Sequence, residues 1–199
     1  TANNMLNCST FADSMKNKNI KIENLSFFQI GDNEQHFRCN FYAFRNNFFD
    51  LFFSFSLIDF FKRELPESIN QELFRIIPPL LKNKSIDEGH FIYIHFLMPH
   101  SPIKFSNEIF SADYNLKNYY EYWKFTNEKI KNLLELINYK NRFRIIISGD
   151  HGYRNNFTND SKVDPHYTFA AFYGFDSTSI NKVSCVQDLG KLINAYYKK

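Results

Sequence analysis

A strand–helix–strand pattern in the second half of this 199-residue chain constrains its fold more than any other feature. Residues 91–97 form a nearly unbroken apolar run, as expected of a strand that is buried on both faces. Residues 119–137 repeat apolar side chains at three- and four-residue steps, which predicts a helix, and residues 145–147 form a short β-branched strand. This order predicts a right-handed parallel crossover. The expected fold class is therefore α/β, with a layered, mostly parallel sheet and helices on both faces.

Weaker patterns predict further elements on either side of this unit. Because the chain shows no internal repeat and no linker, and 44% of its residues are hydrophobic, we expect residues 1–199 to form a single domain. In chain order the further elements are a strand within 20–28, a Phe-rich helix over 40–61, a shorter helix over 67–82, a strand at 168–173, and a closing helix over 186–197. Pro66 is expected to separate the two helices, and Pro78-Pro79 to break the second one.

Composition excludes several classes of function. The formal charge is only +3 and the basic residues are scattered among 21 acids, so the basic patch of a nucleic-acid-binding protein is missing. Three cysteines, Cys8, Cys39 and Cys185, are too few and too far apart to predict a disulfide framework or a zinc knuckle. The most apolar stretch, residues 48–61, is interrupted by polar side chains and is shorter than the ~20 residues that a membrane-spanning helix needs. A membrane-surface helix is also disfavoured, because the polar face of this stretch is not basic.

Candidate chemistry lies where the predicted strands end. Asp150 and His151 follow the strand at 145–147 directly and precede Gly152, whose turn would allow both side chains to approach one cation. The alternative is that Asp150 caps the loop and His151 packs, because Asp-His-Gly alone is too short to be specific. His100 follows the strand at 91–97 in the same way. Ligands of open α/β sheets bind at this edge of the sheet.

Three segments together resemble the alkaline phosphatase/sulfatase superfamily. The helix at 119–137, the strand at 144–147 and Ser-Gly-Asp-His-Gly at 148–152 are similar to the metal-binding stretch of sulfatase-like enzymes. Residues 92–102 resemble the strand of that family that ends in a Pro-His-x-Pro element, and residues 184–190 resemble the start of its closing helix. The resemblance covers about residues 90–199 well and residues 1–90 only loosely.

The resemblance implies a role for several residues. Asp150 and His151 would bind a divalent cation, which would be Zn, Mn, Mg or Ca, and His100 would face the anionic group or leaving group of the substrate. His95 lies inside the apolar run, where a hydrogen-bonded core histidine is favoured over a substrate contact. Two further candidates for binding the substrate are Arg154 and His166, each with an ordinary surface role as the alternative.

Family members carry a Ser, Thr or formylglycine-forming Cys nucleophile and an acidic metal ligand near the start of the domain. Cys8-Ser9-Thr10 lacks a preceding buried strand and an acidic partner, so a turn or helix cap is expected there. We therefore expect the chain to be the C-terminal portion of a sulfatase-like catalytic domain, with the nucleophile segment outside it.

The resulting prediction for function is a metal-dependent hydrolase or transferase that acts on phosphate, phosphodiester or sulfate esters. The alternative is a non-catalytic module, derived from such an enzyme, that binds an anion or a partner protein. By resemblance alone we expect an extracytoplasmic location and a possible membrane tether through regions outside this chain. The sequence predicts no oligomeric state.

Overall fold

The computed structural model describes residues 10–26, 30, 57–82, 84, 89–100, 103–105, 112–113, 115–140, 142–153 and 166–197. Helices and short strands alternate along these ranges, in agreement with the predicted α/β class. In chain order they are α1 (Thr10–Asn17), β1 (Lys21–Leu25), α2 (Leu57–Leu81), β2 (His90–Ile94), α3 (Leu116–Leu136), β3 (Ile145–Ser148), β4 (Ala170–Tyr173), α4 (Ser177–Ile180) and α5 (Val186–Tyr196).

The strands β1 and β2 form a parallel pair. Their register runs from Lys21 opposite His90 to Leu25 opposite Ile94, and the backbone N–H of His95 extends the ladder by donating to the Leu25 carbonyl at 3.2 Å. The described connection between the two strands contains α2, as a parallel connection requires. A parallel strand–helix–strand unit is therefore present, and it lies earlier in the chain than the one that the sequence predicted.

The main apolar core lies on one face of this pair. Four residues of α2 point into it at four-residue steps, and they meet the end of α3 and the strand residues Leu25, Ile92 and Ile94. Burying each of these aliphatic side chains contributes about 1.5–3 kcal/mol. The fully or nearly fully buried members are Leu25, Ile69, Leu73, Ile77, Leu81, Leu133 and Ile137.

The opposite face of the pair is covered at its amino-terminal end by α1. Phe11 packs edge-on against Phe91 of β2, with ring centroids 5.1 Å apart. The same helix is tied to α5, because the Ser14 hydroxyl donates to the Asn194 side chain at 2.8 Å. The Tyr197 hydroxyl donates to the His90 carbonyl at 2.6 Å, which anchors the C-terminal helix on β2. The predicted closing helix is thus confirmed as part of the fold.

The strands β3 and β4 form a second, antiparallel pair. Ile145 lies opposite Tyr173 and Ser148 lies opposite Ala170. Both strands were predicted at these positions, but the sequence did not predict their direction relative to each other. Among the described strands β2 pairs with β1 and β3 with β4, so the predicted crossover that joins residues 91–97 to 145–147 in one sheet stays a prediction.

The prediction for the proline-containing helices was wrong. A continuous helix, α2, runs through Pro66 and ends at Leu81, beyond Pro78 and Pro79. A proline inside a helix costs about 3 kcal/mol, because it removes one hydrogen bond and crowds the preceding turn. Burial of the apolar stripe of α2 outweighs this penalty. Of the helix predicted over 40–61, residues 40–56 lie outside the described residues, and 57–61 belong to α2.

None of the helices within the described ranges is both long enough and apolar enough to cross a membrane.

Arg142 joins the ends of two helices. Its guanidinium donates to the carbonyls of Leu81, Lys82 and Lys84 at 2.8, 3.0 and 2.8 Å, and to the Ile137 carbonyl at 2.9 Å. The last carbonyls of a helix have no partner within the helix, and a planar guanidinium can bind several of them at once. Arg142 therefore fixes the C-terminal end of α2 against that of α3.

We expect Arg142→Ala to lower the free energy of unfolding by about 2–4 kcal/mol, because several carbonyls at the helix ends lose a charged donor. Chemical denaturation followed by circular dichroism measures this change. Lys82→Ala is the matched control, since it removes an exposed cation from the same segment. Equal stability of the two variants would contradict this role of Arg142.

Candidate functional site

The loop after β3 is shaped by Gly149. Its backbone N–H donates to the Phe169 carbonyl at 3.2 Å and continues the ladder with the segment before β4. A Cβ atom at this position would overlap the hydroxyl oxygen of Thr168, so a larger residue would force Thr168 to move. The close approach of the two backbones sets the direction in which the chain leaves the strand at Asp150.

Asp150 and His151 each form a hydrogen bond with the backbone of this loop. One carboxylate oxygen of Asp150 accepts from the backbone N–H of His151 at 2.9 Å, as expected of a residue that caps a turn. The other oxygen, Oδ2, lies 3.7 Å from the imidazole Nε2. The opposite ring nitrogen, Nδ1, lies 2.6 Å from the Gly152 carbonyl. Since a carbonyl only accepts, this contact requires a proton on Nδ1, and in the singly protonated ring Nε2 then keeps its lone pair for a ligand.

This pair of atoms suits a divalent cation. A carboxylate oxygen and an imidazole nitrogen each bind such an ion at about 2.1 Å, so two ligands of one ion lie no more than about 4.2 Å apart. A carbonyl that holds the remote ring nitrogen is also the usual support of a metal-binding histidine. Within the described ranges, no group of three His, Cys, Asp or Glu side chains is arranged to hold a metal. Asp150 and His151 could thus supply two ligands, fewer than such an ion needs.

The charge of Asp150 affects the pKa of residues at the end of β2 and in the first turn of α3. Burial lowers the pKa of His95, while the negative charge of Asp150 acts in the opposite direction. Burial raises the pKa of Tyr93 and of Tyr119, and in both residues Asp150 adds to the increase. The charge of Asp150, which follows β3, thus acts on residues at the end of β2 and of the first turn of α3.

The face of β2 that carries Tyr93 and His95 is polar at its carboxyl end. The two side chains are two residues apart and so share a face, and their Oη and Nδ1 atoms lie 3.2 Å apart. Asn24 lies opposite Tyr93 in the parallel register, and its side-chain oxygen accepts from the buried Ser26 hydroxyl at 2.7 Å. We call these four residues the polar wall. His95 is thus a hydrogen-bonded histidine at the edge of the site.

Sequence reasoning missed most of this wall. Tyr93 was read as part of an apolar strand. Outside the wall, Tyr119 was placed in a helix, and no role was predicted for Tyr153. In the structure the rings of Tyr119 and Tyr153 pack 4.8 Å apart beside Asp150. Aromatic residues with a polar end bury the ring and direct the hydroxyl to a partner. The alternation of Tyr93 and His95 with isoleucines was the one signal that could have identified the polar face.

His100 follows β2 in an exposed turn. Its backbone N–H donates to the Leu97 carbonyl at 3.2 Å, and the Leu97 N–H donates to the buried side chain of Asn70 at 2.8 Å. This second bond anchors the start of the turn on α2. The position agrees with the predicted place of His100 after the strand, and its substrate-facing role stays a prediction.

The other predicted site residues are less closely defined. His166 lies in an exposed turn that leads to Thr168 and Phe169, the residues beside Gly149. Arg154 lies outside the described residues. Of the segment considered for the nucleophile, Cys8 and Ser9 also lie outside them, and Thr10 begins α1, in line with the turn or cap that the sequence favoured.

Comparison with protein families identifies the family of the chain. The family model described as Sulfatase matches residues 6–173, most of the chain. The chain belongs to the sulfatase family. No curated protein and no solved structure gives a significant match.

Membership of the sulfatase family confirms the resemblance and the α/β class, and it indicates a hydrolase of sulfate or phosphate esters. Two details of the resemblance differ from the prediction. The match begins at residue 6, so it extends through the N-terminal half that the motifs covered only loosely. It ends at residue 173, so the segment at 184–190 contributes nothing to it.

In this sulfatase-family chain we expect Gly149→Ala to lower the free energy of unfolding by about 1–3 kcal/mol, because the new methyl group overlaps Thr168. Thermal denaturation measures the loss. The double variant Gly149→Ala/Thr168→Ala should recover much of the stability, since the overlapping oxygen is then absent. A double variant no more stable than Gly149→Ala would show that the overlap is not the cause.

Proposed function

We propose that this sulfatase-family protein is a metal-dependent hydrolase or transferase acting on phosphate, phosphodiester or sulfate esters. The observation that carries the proposal is the arrangement of Asp150 and His151 after β3, where a carboxylate oxygen and an imidazole nitrogen lie 3.7 Å apart. In the proposal both side chains bind a divalent cation, which is Zn, Mn, Mg or Ca. When bound, this cation supplies positive charge that stabilises the ester oxygens and activates the nucleophile.

The residues of the chain have distinct tasks in this proposal. Asp150 binds through one oxygen while its other oxygen keeps the turn closed, and the Gly152 carbonyl holds the imidazole of His151 in the binding tautomer. His100 positions the substrate or protonates its leaving oxygen, which its exposed place after β2 permits. Arg154, His166 and His95 contribute contacts to the anionic group.

The nucleophile and the remaining metal ligands complete the site from elsewhere. We propose that they lie in a segment N-terminal to Thr1, because the sequence shows no apolar strand pattern followed by an acid and a Ser, Thr or Cys nucleophile in the setting that the family has. Residues 1–199 then form one α/β domain unit, the C-terminal portion of the catalytic domain, within a larger layered sheet. Attack on the resulting covalent intermediate by water gives hydrolysis, and attack by an alcohol gives transfer.

The location and partners form part of the same proposal. We propose an extracytoplasmic site of action, with any membrane tether in regions outside these residues, by analogy with sulfatase-like enzymes. The substrate is an anionic ester. The modest and scattered positive charge of the chain supports a small anionic ligand rather than a nucleic acid.

We expect Asp150→Asn in the full-length protein to lower metal-dependent cleavage of aryl phosphate or aryl sulfate by at least about 100-fold, because the variant loses a charged ligand. Calorimetry with Mn²⁺ and Zn²⁺ should show the parallel loss of cation binding. Asp13→Asn is the matched control, since it removes an exposed carboxylate from α1. Undiminished turnover in Asp150→Asn would refute the metal assignment.

The alternative of a non-catalytic binding module makes a different prediction for the same assay. It expects no turnover in the wild-type protein, with or without added metal. Intact mass and N-terminal sequencing of the native polypeptide test the proposed nucleophile segment. We expect a mass above 23.8 kDa and an added strand that ends in an acid followed by Ser, Thr or Cys.

A further inference from the structure

Asn70 is a polar residue beside the apolar stripe of α2. Its side chain is buried, with only 2% of the residue exposed. A buried amide is costly unless hydrogen bonds replace those that it made to water. The side-chain oxygen accepts from the backbone N–H of Leu97 at 2.8 Å, three residues after β2 ends. The amide oxygen is therefore satisfied by the chain that leaves the strand.

A second contact, one helical turn further along α2, holds the same part of the chain. The ring of Phe74 packs against that of Phe96, with the centroids 4.8 Å apart. Asn70 and Phe74 are four residues apart and so share a face of the helix. They contact the successive residues Phe96 and Leu97, just after His95 makes the last backbone bond to β1. The chain is thus aligned along α2 where its pairing with β1 ends.

Leu97 links Asn70 to the turn that carries His100. Its N–H donates to the Asn70 side chain, and its carbonyl accepts from the backbone N–H of His100 at 3.2 Å. Two hydrogen bonds in series therefore connect a buried amide of α2 to the backbone of an exposed histidine. An apolar side chain at position 70 would leave the Leu97 N–H without this acceptor.

We propose that Asn70 is a positioning residue of the candidate site, which fixes the turn at 97–100 and thereby the place from which His100 contacts the ester anion. The inference rests on the proposed function, because it takes the role of His100 from there. It adds a residue of the helix core that touches neither the substrate nor a metal.

Hydrogen exchange of the full-length protein, followed by NMR, tests the anchoring of the turn. In Asn70→Leu the Leu97 amide loses its acceptor, so it should exchange about 10-fold faster relative to the His95 amide, which keeps its bond to Leu25. Leu73→Ala is the control, because it removes a fully buried side chain from the same helix and leaves Asn70 in place. This variant should not change the ratio of the two rates. An unchanged ratio in Asn70→Leu would overturn the inference.

A double-mutant cycle on the binding of inorganic phosphate, measured by calorimetry with Mn²⁺ present, tests whether Asn70 acts through His100. We expect Asn70→Leu to weaken binding about 3- to 10-fold in the wild-type background. In the His100→Ala background the loss should be less than about 2-fold, because the turn then carries no imidazole. Asn70→Ala removes the same acceptor with a smaller side chain and should give the same pattern. Equal losses in both backgrounds would show a purely structural role and contradict the inference.

This inference and the proposed function fail in different ways. Neither readout needs turnover, so a protein that gives the expected cycle but cleaves no ester would refute the proposed function and support the role of Asn70. Metal-dependent cleavage together with equal losses in the cycle would support the proposed function and overturn this inference. A wild-type protein that binds no phosphate would overturn this inference as well.

Discussion

The packing of β1 and β2 against α2 and α3 is the interaction on which the rest of the structure depends. Leu25, Ile92 and Ile94 are held in the core, and successive residues of a strand point to opposite faces. Once the isoleucines are buried, Tyr93 and His95 have to lie on the other face. A hydrophobic contact thus fixes the direction of polar groups on the opposite face of the strand. A shift of the strand register by one residue would turn the polar side chains to the core and the isoleucines away from it.

The sequence predicted the elements better than their pairing. The helix α3 and the strands β2 and β3 were correctly located because their periodicity is local and survives in a single sequence. The parallel partner of β2 and the antiparallel partner of β3 could not be predicted in the same way, since pairing depends on contacts between residues far apart in the chain. The helix through Pro66 differs for a related reason, because long-range burial overrides a local penalty.

In the candidate site, too, the features that are local in the sequence could be predicted, and those that depend on distant residues could not. Asp150, His151 and Gly152 are adjacent in the sequence, so their motif was visible, and hydrogen bonds within the motif hold its two side chains in the structure. The polar wall comes from two strands joined by a long connection, and within β2 the alternation of Tyr93 and His95 with isoleucines is the one local signal of its polar face. The close approach that favours glycine at position 149 likewise comes from Thr168, a residue of another segment.

The choice of side chains near Asp150 has a consequence for binding. A lysine or arginine at the position of Tyr93 or His95 would form an ion pair with the carboxylate and compete with any cation for it. The neutral phenol and imidazole leave the charge of Asp150 available and still offer N–H and O–H donors. Because Asp150 is also 74% exposed, a cation and an anionic ester can both reach it from solvent. Under the proposed function, neutral donors beside an exposed carboxylate would therefore let one site accept two ligands of opposite charge.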